Sequence, residues 1–185
     1  MRLAFAEALA DLADRDARIL LLTGDLGYMA LDSFLARHPA RFFNLGVAEQ
    51  NMIGVATGLA EGGFIPFCYS IIPFALLRGY EFIRNGPVLH GLPIRIVGVG
   101  AGFDYGSNGY THYATEDLAM ARYFPEWQCS RRRIRLRCET VCMRSGTGPD
   151  QPISGSVGMT GCGCRASTAA SAGTMWKSVE RAAMW

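Results

Sequence analysis

The sequence predicts an α/β domain built on a largely parallel sheet over residues 1–122. Two observations predict it. Short apolar runs alternate with stretches of helical period across brief connections, the pattern of strands joined by crossover helices. The run at residues 19–22 is also apolar without interruption, as a strand covered on both faces is. A third observation sets the limit: beyond residue 122 the composition shifts abruptly, and five of the six cysteines, all three tryptophans and a cluster of arginines fall there.

Taken in order, residues 2–13 place alanine and leucine at helical spacing with Glu7 and Asp11 for the wet side, an amphipathic helix. Ile19-Leu20-Leu21-Leu22 is a strand ended by Thr23-Gly24-Asp25. Residues 30–37 form a short helix stopped before Pro39, and Phe42–Leu45 the next strand. From Glu49, the residues Met52, Val55, Ala56 and Leu59 recur on one helix face, with Gly54 and Gly58 leaving room for a close neighbour. Phe64–Tyr69 is a third strand. A helix then runs from Pro73, well suited to a first helical position, to about Arg84, and Ile94–Val99 is a fourth strand. Thr115-Glu116-Asp117 reads as the capped start of a last helix.

In parallel α/β sheets ligands bind beyond the carboxyl ends of the strands. Those ends carry Asp25, Glu49, the stretch Ser70–Phe74, and the loop Gly100–His112. Four conspicuous stretches therefore converge on one edge. Glu49 falls in a first helical turn, where the helix dipole favours the ionised carboxylate while burial opposes it. It can therefore serve as a group that holds or shares a proton, or as a helix-end carboxylate satisfied by backbone N–H groups.

The other candidates also have two readings. His112 can transfer protons or bind substrate oxygens at neutral pH, or be an ordinary loop histidine. Phe74 and Tyr69 offer flat apolar surface to a ring, or pack in the core. Gly98-Val-Gly-Ala-Gly-Phe suggests a dinucleotide loop, but the fingerprint should open a helix and here a loop continues; a glycine-rich substrate loop fits better. Gly24-Asp25 has no second ligand at a suitable spacing, so no metal is expected on this chain alone. His38 and His90 lie beside turns and receive no role.

The chain has 185 residues and a net charge of +2, which allows one sizeable core and points to no nucleic acid or other charged partner. No segment has the apolar length of a membrane helix, and acidic residues come too early for a signal peptide; a cytoplasmic location is expected. Cys68 alone among the early residues gives no disulfide framework and reads as an apolar filler.

Five strings, in this order, carry a resemblance: Leu-Thr-Gly-Asp-Leu-Gly (22–27), Phe-Asn-Leu-Gly-Val-Ala-Glu-Gln-Asn-Met (43–52), Gly-Leu-Ala-Glu-Gly-Gly-Phe-Ile-Pro-Phe (58–67), Tyr-Thr-His (110–112) and Ala-Thr-Glu-Asp-Leu-Ala (114–119). Together they resemble the pyrimidine-binding domain of the transketolase family, most closely the separately encoded C-terminal subunits of split enzymes. The resemblance implies a three-layer domain that binds thiamine diphosphate and transfers a two-carbon ketol unit between sugars. It implies that Glu49 hydrogen-bonds a ring nitrogen of the aminopyrimidine and favours the imino form that deprotonates the thiazolium carbon. Phe74 matches an aromatic position against the pyrimidine, Ile71 lies beside it where relatives often place another aromatic, Asp25 matches a pocket residue, and His112 matches the histidine facing the sugar.

Relatives acting on sugar phosphates commonly have histidine at the position of Gly100 and aspartate at that of Asn108, which opens the identity of the substrates. The diphosphate and its magnesium belong to another domain in the family, so the resemblance implies a diphosphate-binding N-terminal partner subunit, a hetero-oligomer with a dimeric core and an active site at the interface. Alternatives are a deoxyxylulose phosphate synthase or 2-oxo acid dehydrogenase relative, and a non-catalytic truncated remnant.

After Arg122 the family pattern calls for a further strand, helix and strand, but the sequence gives Trp-Gln-Cys-Ser-Arg-Arg-Arg-Ile-Arg-Leu-Arg-Cys (127–138) and then Gly, Ser, Thr and Cys without period. The arginines lack a nucleic-acid module, the spacings of Cys138, Cys142, Cys162 and Cys164 are not those favoured by zinc, and a flexible linker has no supporting context either. Reading back-translated codons one nucleotide earlier, with permissible third bases, turns residues 125–137 into GVAVFSPADPAEV and residues 149–159 into RPAYLRLGRH, strings similar to those of intact relatives. The expectation is a base lost near the codons of Arg122 and Tyr123, and an out-of-frame tail over 123–185, disordered or poorly packed from about residue 126, with the final βαβ part of the fold missing.

Overall fold

Strand side chains alternate between two faces, and here both faces are apolar, so the sheet carries two cores. The computed structural model describes residues 2–124, 127–134 and 137–144; within the last two stretches the side chain of Trp127 alone is described. Strands β1 (Ile19–Thr23), β2 (Phe42–Asn44), β3 (Ile65–Ile71) and β4 (Arg95–Val99) lie in the order β2-β1-β3-β4 and are all parallel. The register puts Leu21 opposite Phe42 on one side and Phe67 on the other, with Phe67 opposite Arg95.

Ile19, Leu21, Phe67, Tyr69, Val97 and Val99 pack with Phe5, Leu9 and Leu12 of α1 (Arg2–Arg15) and with Phe34 of α2 (Asp32–Arg37). Leu20, Leu22, Cys68 and Ile96 face the other way, onto Met52, Ile53 and Ala56 of α3 (Glu49–Glu61) and onto Leu76 and Ile83. The result is the expected three-layer α/β arrangement. Every residue of β1 and β4 is buried, Arg95 at the start of β4 included, as in a sheet covered on both faces. Among the described residues no helix is long and apolar enough to cross a membrane.

The single helix expected from Pro73 is three pieces: a π-helical turn Pro73–Arg78, α4 (Tyr80–Ile83), and a second π-helical turn Arg84–Val88. Two residues account for the breaks. Pro87 has no N–H to give to a helical hydrogen bond. Gly79 lies against α3, where a Cβ would sit 3.2 Å from Ile53 Cγ1. The expected cap of α5 (Asp117–Arg122) is also different: Glu116 occupies the cap without a side-chain bond, and the Thr115 hydroxyl instead donates to the Glu116 carboxylate at 2.8 Å. Gly58, expected to admit a neighbour, faces open space among the described residues.

Residues 127–144, which fall within the tail expected to be disordered or poorly packed from about residue 126, carry two strands. Strands β5 (Trp127–Ile134) and β6 (Arg137–Arg144) form an antiparallel hairpin, and β6 pairs antiparallel with β4. The reason is physical: β4 would otherwise present a row of unpaired N–H and C=O groups, and main-chain pairing needs no side-chain period. Trp127 anchors the hairpin by its edge contact with Phe124, which stacks on Tyr80. The rest of that expectation, over residues 145–185, lies outside the described residues, as do Cys162 and Cys164.

Candidate active site

Glu49 is the first residue of α3 and only 1% exposed. Neither carboxylate oxygen is met by the helix's own backbone in the manner of a helix-end cap. The Ser70 hydroxyl, at the end of β3, donates to Oε1 at 3.0 Å, and Arg78 Nη1 donates to Oε2 at 2.5 Å. Gly24, just past β1, completes the enclosure: a Cβ there would lie 3.3 Å from both Glu49 Oε1 and Ser70 Oγ. Residues from the ends of β1 and β3, the start of α3 and the first π turn therefore meet at one carboxylate.

The π turn sets the next layer. Its wider winding carries Phe74 and Arg78 to the same side of the segment, and the Arg78 guanidinium carbon lies 4.5 Å from the Phe74 ring centroid. Phe74 in turn meets the edge of His112, with ring centroids 5.0 Å apart. A continuous line of contacts thus runs from Glu49 through Arg78 and Phe74 to His112, joining two expected site residues that are far apart in sequence.

Beyond His112 stands Tyr105, with ring centroids 6.2 Å apart, and the Tyr105 hydroxyl accepts from Arg2 Nη2 at 2.7 Å. The Tyr105 ring lies where a side chain at residue 100 would go: a Cβ on Gly100 would be 2.1 Å from Tyr105 Cε2, and Gly100 has φ +77°. Glycine is required there on both counts. The Gly98-x-Gly stretch does not open a helix: Gly98 lies inside β4, packed on Ile72, and the loop continues through single turns at Gly106–Asn108 and Tyr110–His112.

Asp25 follows β1 with φ +58°, a backbone strain for a residue with a Cβ. It is held by Asn44: Asn44 Nδ2 donates to Asp25 Oδ1 at 2.8 Å, and the Asp25 N–H donates to Asn44 Oδ1 at 3.1 Å. Asp25 is exposed on the same sheet edge as Glu49. Ile71 is placed differently from the expectation that set it beside Phe74: it packs against the α1-side core, on the face of the sheet opposite Ser70, because neighbouring strand residues point to opposite faces. Tyr69 belongs to that same core and stacks on Phe5.

Arg78 was not singled out from the sequence, and Ser70 and Tyr105 entered only as members of the stretches Ser70–Phe74 and Gly100–His112. For Arg78 the signal is its place four residues after Phe74, on one side of a helical segment. His38, given no role, is structural, bonded to Ala10 O and Arg41 between α1 and α2. Among the described residues no cluster of metal-ligating side chains occurs.

A family model described as transketolase, pyrimidine binding domain, matches residues 1–132, reaching past residue 122 where the resemblance was expected to end. A putative transketolase C-terminal section from Methanocaldococcus jannaschii is 41% identical over 126 residues, covering 68% of this chain and 40% of that protein. A 6-deoxy-6-sulfo-D-fructose transketolase subunit from a Clostridium species is 38% identical over 128 residues, covering 68% of this chain and 39% of that protein. Among solved structures, a split-gene transketolase described as an inactive beta4 tetramer superposes with a TM-score of 0.57 at 39% identity, covering 66% of this chain and 39% of that one. The chain thus spans about 40% of the length of these two curated relatives.

Proposed function

The chain belongs to the transketolase family through its pyrimidine-binding domain, and on that premise we propose that it is the pyrimidine-binding subunit of a thiamine-diphosphate-dependent transketolase-like enzyme that transfers a two-carbon ketol unit between sugars. The observation that carries the reading is Glu49: a carboxylate 1% exposed, at the carboxyl edge of a parallel sheet, with an aromatic face one residue away in the line of contacts. A buried carboxylate with few partners and a flat apolar surface beside it fits an aminopyrimidine ring, which needs one acceptor or shared proton at a ring nitrogen and stacking on its face. When bound, the cofactor supplies the carbanion chemistry that side chains lack.

The chain's own residues divide the remaining work. Glu49 Oε2 holds or shares a proton with the ring nitrogen, and Ser70 fixes the carboxylate through Oε1. Phe74 supports the ring, and His112, against Phe74, faces the sugar and can exchange protons with its oxygens. Asp25, set by Asn44, lines the same edge. Ile71 would act only from behind, through the core, because its side chain lies on the other face.

A diphosphate-binding partner chain, holding magnesium, is part of the proposal. Two observations support it: the relatives are named as a section and a subunit of transketolases, and the strand-end loops expose Tyr28, Met29, Val47, Phe103 and Tyr110, a run of apolar surface of the kind that marks interaction sites. We further propose that residues 123–185 arise from out-of-frame translation, with β5 and β6 filling the edge of β4 in place of the missing βαβ part. Resequencing the gene tests that part; an intact frame encoding residues 127–138 would refute it.

The test of function is coexpression with a neighbouring gene for a diphosphate-binding half, then a thiamine-diphosphate-dependent ketol-transfer assay. Activity lost in Glu49→Gln is expected. Activity retained in that variant would contradict the mechanism.

A further inference from the structure

Arg78 is the one cation that reaches Glu49 among the described contacts, and its guanidinium does so while lying on Phe74. A guanidinium is flat, delocalised and cationic, and presents N–H donors at its rim. An aminopyrimidine bound by Glu49 and Phe74 would need the same two contacts: an N–H or a shared proton directed at Glu49 Oε2, and a face laid against the Phe74 ring. Both groups compete for one slot. The Arg78 side chain is 39% exposed whereas that of Glu49 is 1% exposed, so the arginine can withdraw into water and the glutamate cannot.

We propose that Arg78 is a stand-in for the pyrimidine ring, holding the buried Glu49 carboxylate in place until the cofactor displaces it. This rests on the cofactor reading above and deepens it: Arg78 sets how tightly the subunit takes the ring. In the free chain Arg78 satisfies Glu49 Oε2, which would otherwise be a buried charge facing only the Ser70 hydroxyl on its other oxygen. Binding then requires the state in which Arg78 has left, and the apparent affinity is reduced by the small population of that state. The same exchange keeps the carboxylate partnered at each stage, because one planar donor leaves as the other arrives.

The probe is thiamine itself, titrated into the full-length chain assembled with its diphosphate-binding partner, by isothermal calorimetry and by ligand-observed NMR, so the readout does not depend on turnover. Arg78→Ala removes the competitor, and Arg78→Gln removes the charge while keeping a long polar side chain at the position, which guards against a variant that fails to fold. Both are expected to bind thiamine more tightly than wild type, by about three- to ten-fold, and the Arg78 side-chain N–H signal of wild type is expected to lose its protection from exchange on saturation with thiamine. Weaker or equal thiamine binding by both variants, with wild type binding, overturns the stand-in and leaves the cofactor reading intact, since Arg78 would then hold the ring rather than yield to it. Thiamine binding absent from wild type and both variants overturns the cofactor reading and the stand-in together.

Discussion

Gly24 and Glu49 lie so close that a Cβ on Gly24 would sit 3.3 Å from Glu49 Oε1. The carboxylate has no freedom to retreat, because Ser70 and Arg78 hold its two oxygens from other sides. Gly24→Ala should therefore lengthen the Ser70–Glu49 hydrogen bond and cost about 1 kcal/mol of stability, together with a loss of thiamine diphosphate affinity in the assembled enzyme. Urea unfolding and calorimetry measure the two effects; an unchanged affinity would show that Glu49 is not held from the β1 side.

Ser70→Ala removes the donor to Oε1 and leaves a buried charged acceptor unmet on that side. The expected loss is about 1–3 kcal/mol in the unfolding free energy. The same substitution in a Glu49→Gln background should cost less, because an amide is cheaper to leave short of one bond than a carboxylate. A double-mutant cycle reads the difference, and strict additivity would contradict the pairing.

Gly100→Ala is opposed twice, by φ +77° and by the Tyr105 ring 2.1 Å from the new Cβ. The backbone part is expected to cost about 1–2 kcal/mol, and displacement of Tyr105 would break its bond with Arg2. In a Tyr105→Ala background the steric part should vanish while the backbone part remains. Equal cost of Gly100→Ala in both backgrounds, by thermal unfolding, would mean that the ring moves aside freely.

Asp16 supplies a pH test. Hydrogen bonds from the Arg18 guanidinium hold its carboxyl below the usual carboxylate value, against the opposing effect of burial. A carboxyl lowered on folding adds stability above its unfolded value, about 3.9, and loses it as pH falls through the folded value. Asp16→Asn should therefore lower the melting temperature at pH 6 and have progressively less effect below pH 4. A constant difference at both would refute the linkage.

Cys68 is fully buried on β3, and burial pushes its thiol well above the ordinary range. The thiolate is the reactive form. At pH 8, alkylation mapped by peptide mass spectrometry should find Cys68 unmodified in the folded chain and modified after denaturation. Prompt labelling under native conditions would contradict its placement in the core.

Residues 19–22 were legible as a fully buried strand because an uninterrupted apolar run in a short segment leaves few other solutions, and Glu49 was legible at a helix start because the period begins there. The break of the helix after Pro73 was not, since a π turn differs from an α turn by a single residue in its hydrogen bond and leaves almost no trace in apolar spacing. Nor was the hairpin at residues 127–144, because backbone pairing onto an open edge asks nothing of side-chain pattern.

The sequence by itself determined the alternation of strands and helices, the edge on which Asp25, Glu49, Phe74 and His112 gather, and the identity of the carboxylate at its centre. Tertiary structure alone decided what that carboxylate meets: Ser70 and Arg78 are 21 and 29 residues away along the chain. Local period fixes which face a side chain occupies within its own element. Contact between elements depends on strand register and on the width of a helical turn, and both are set only when the layers pack.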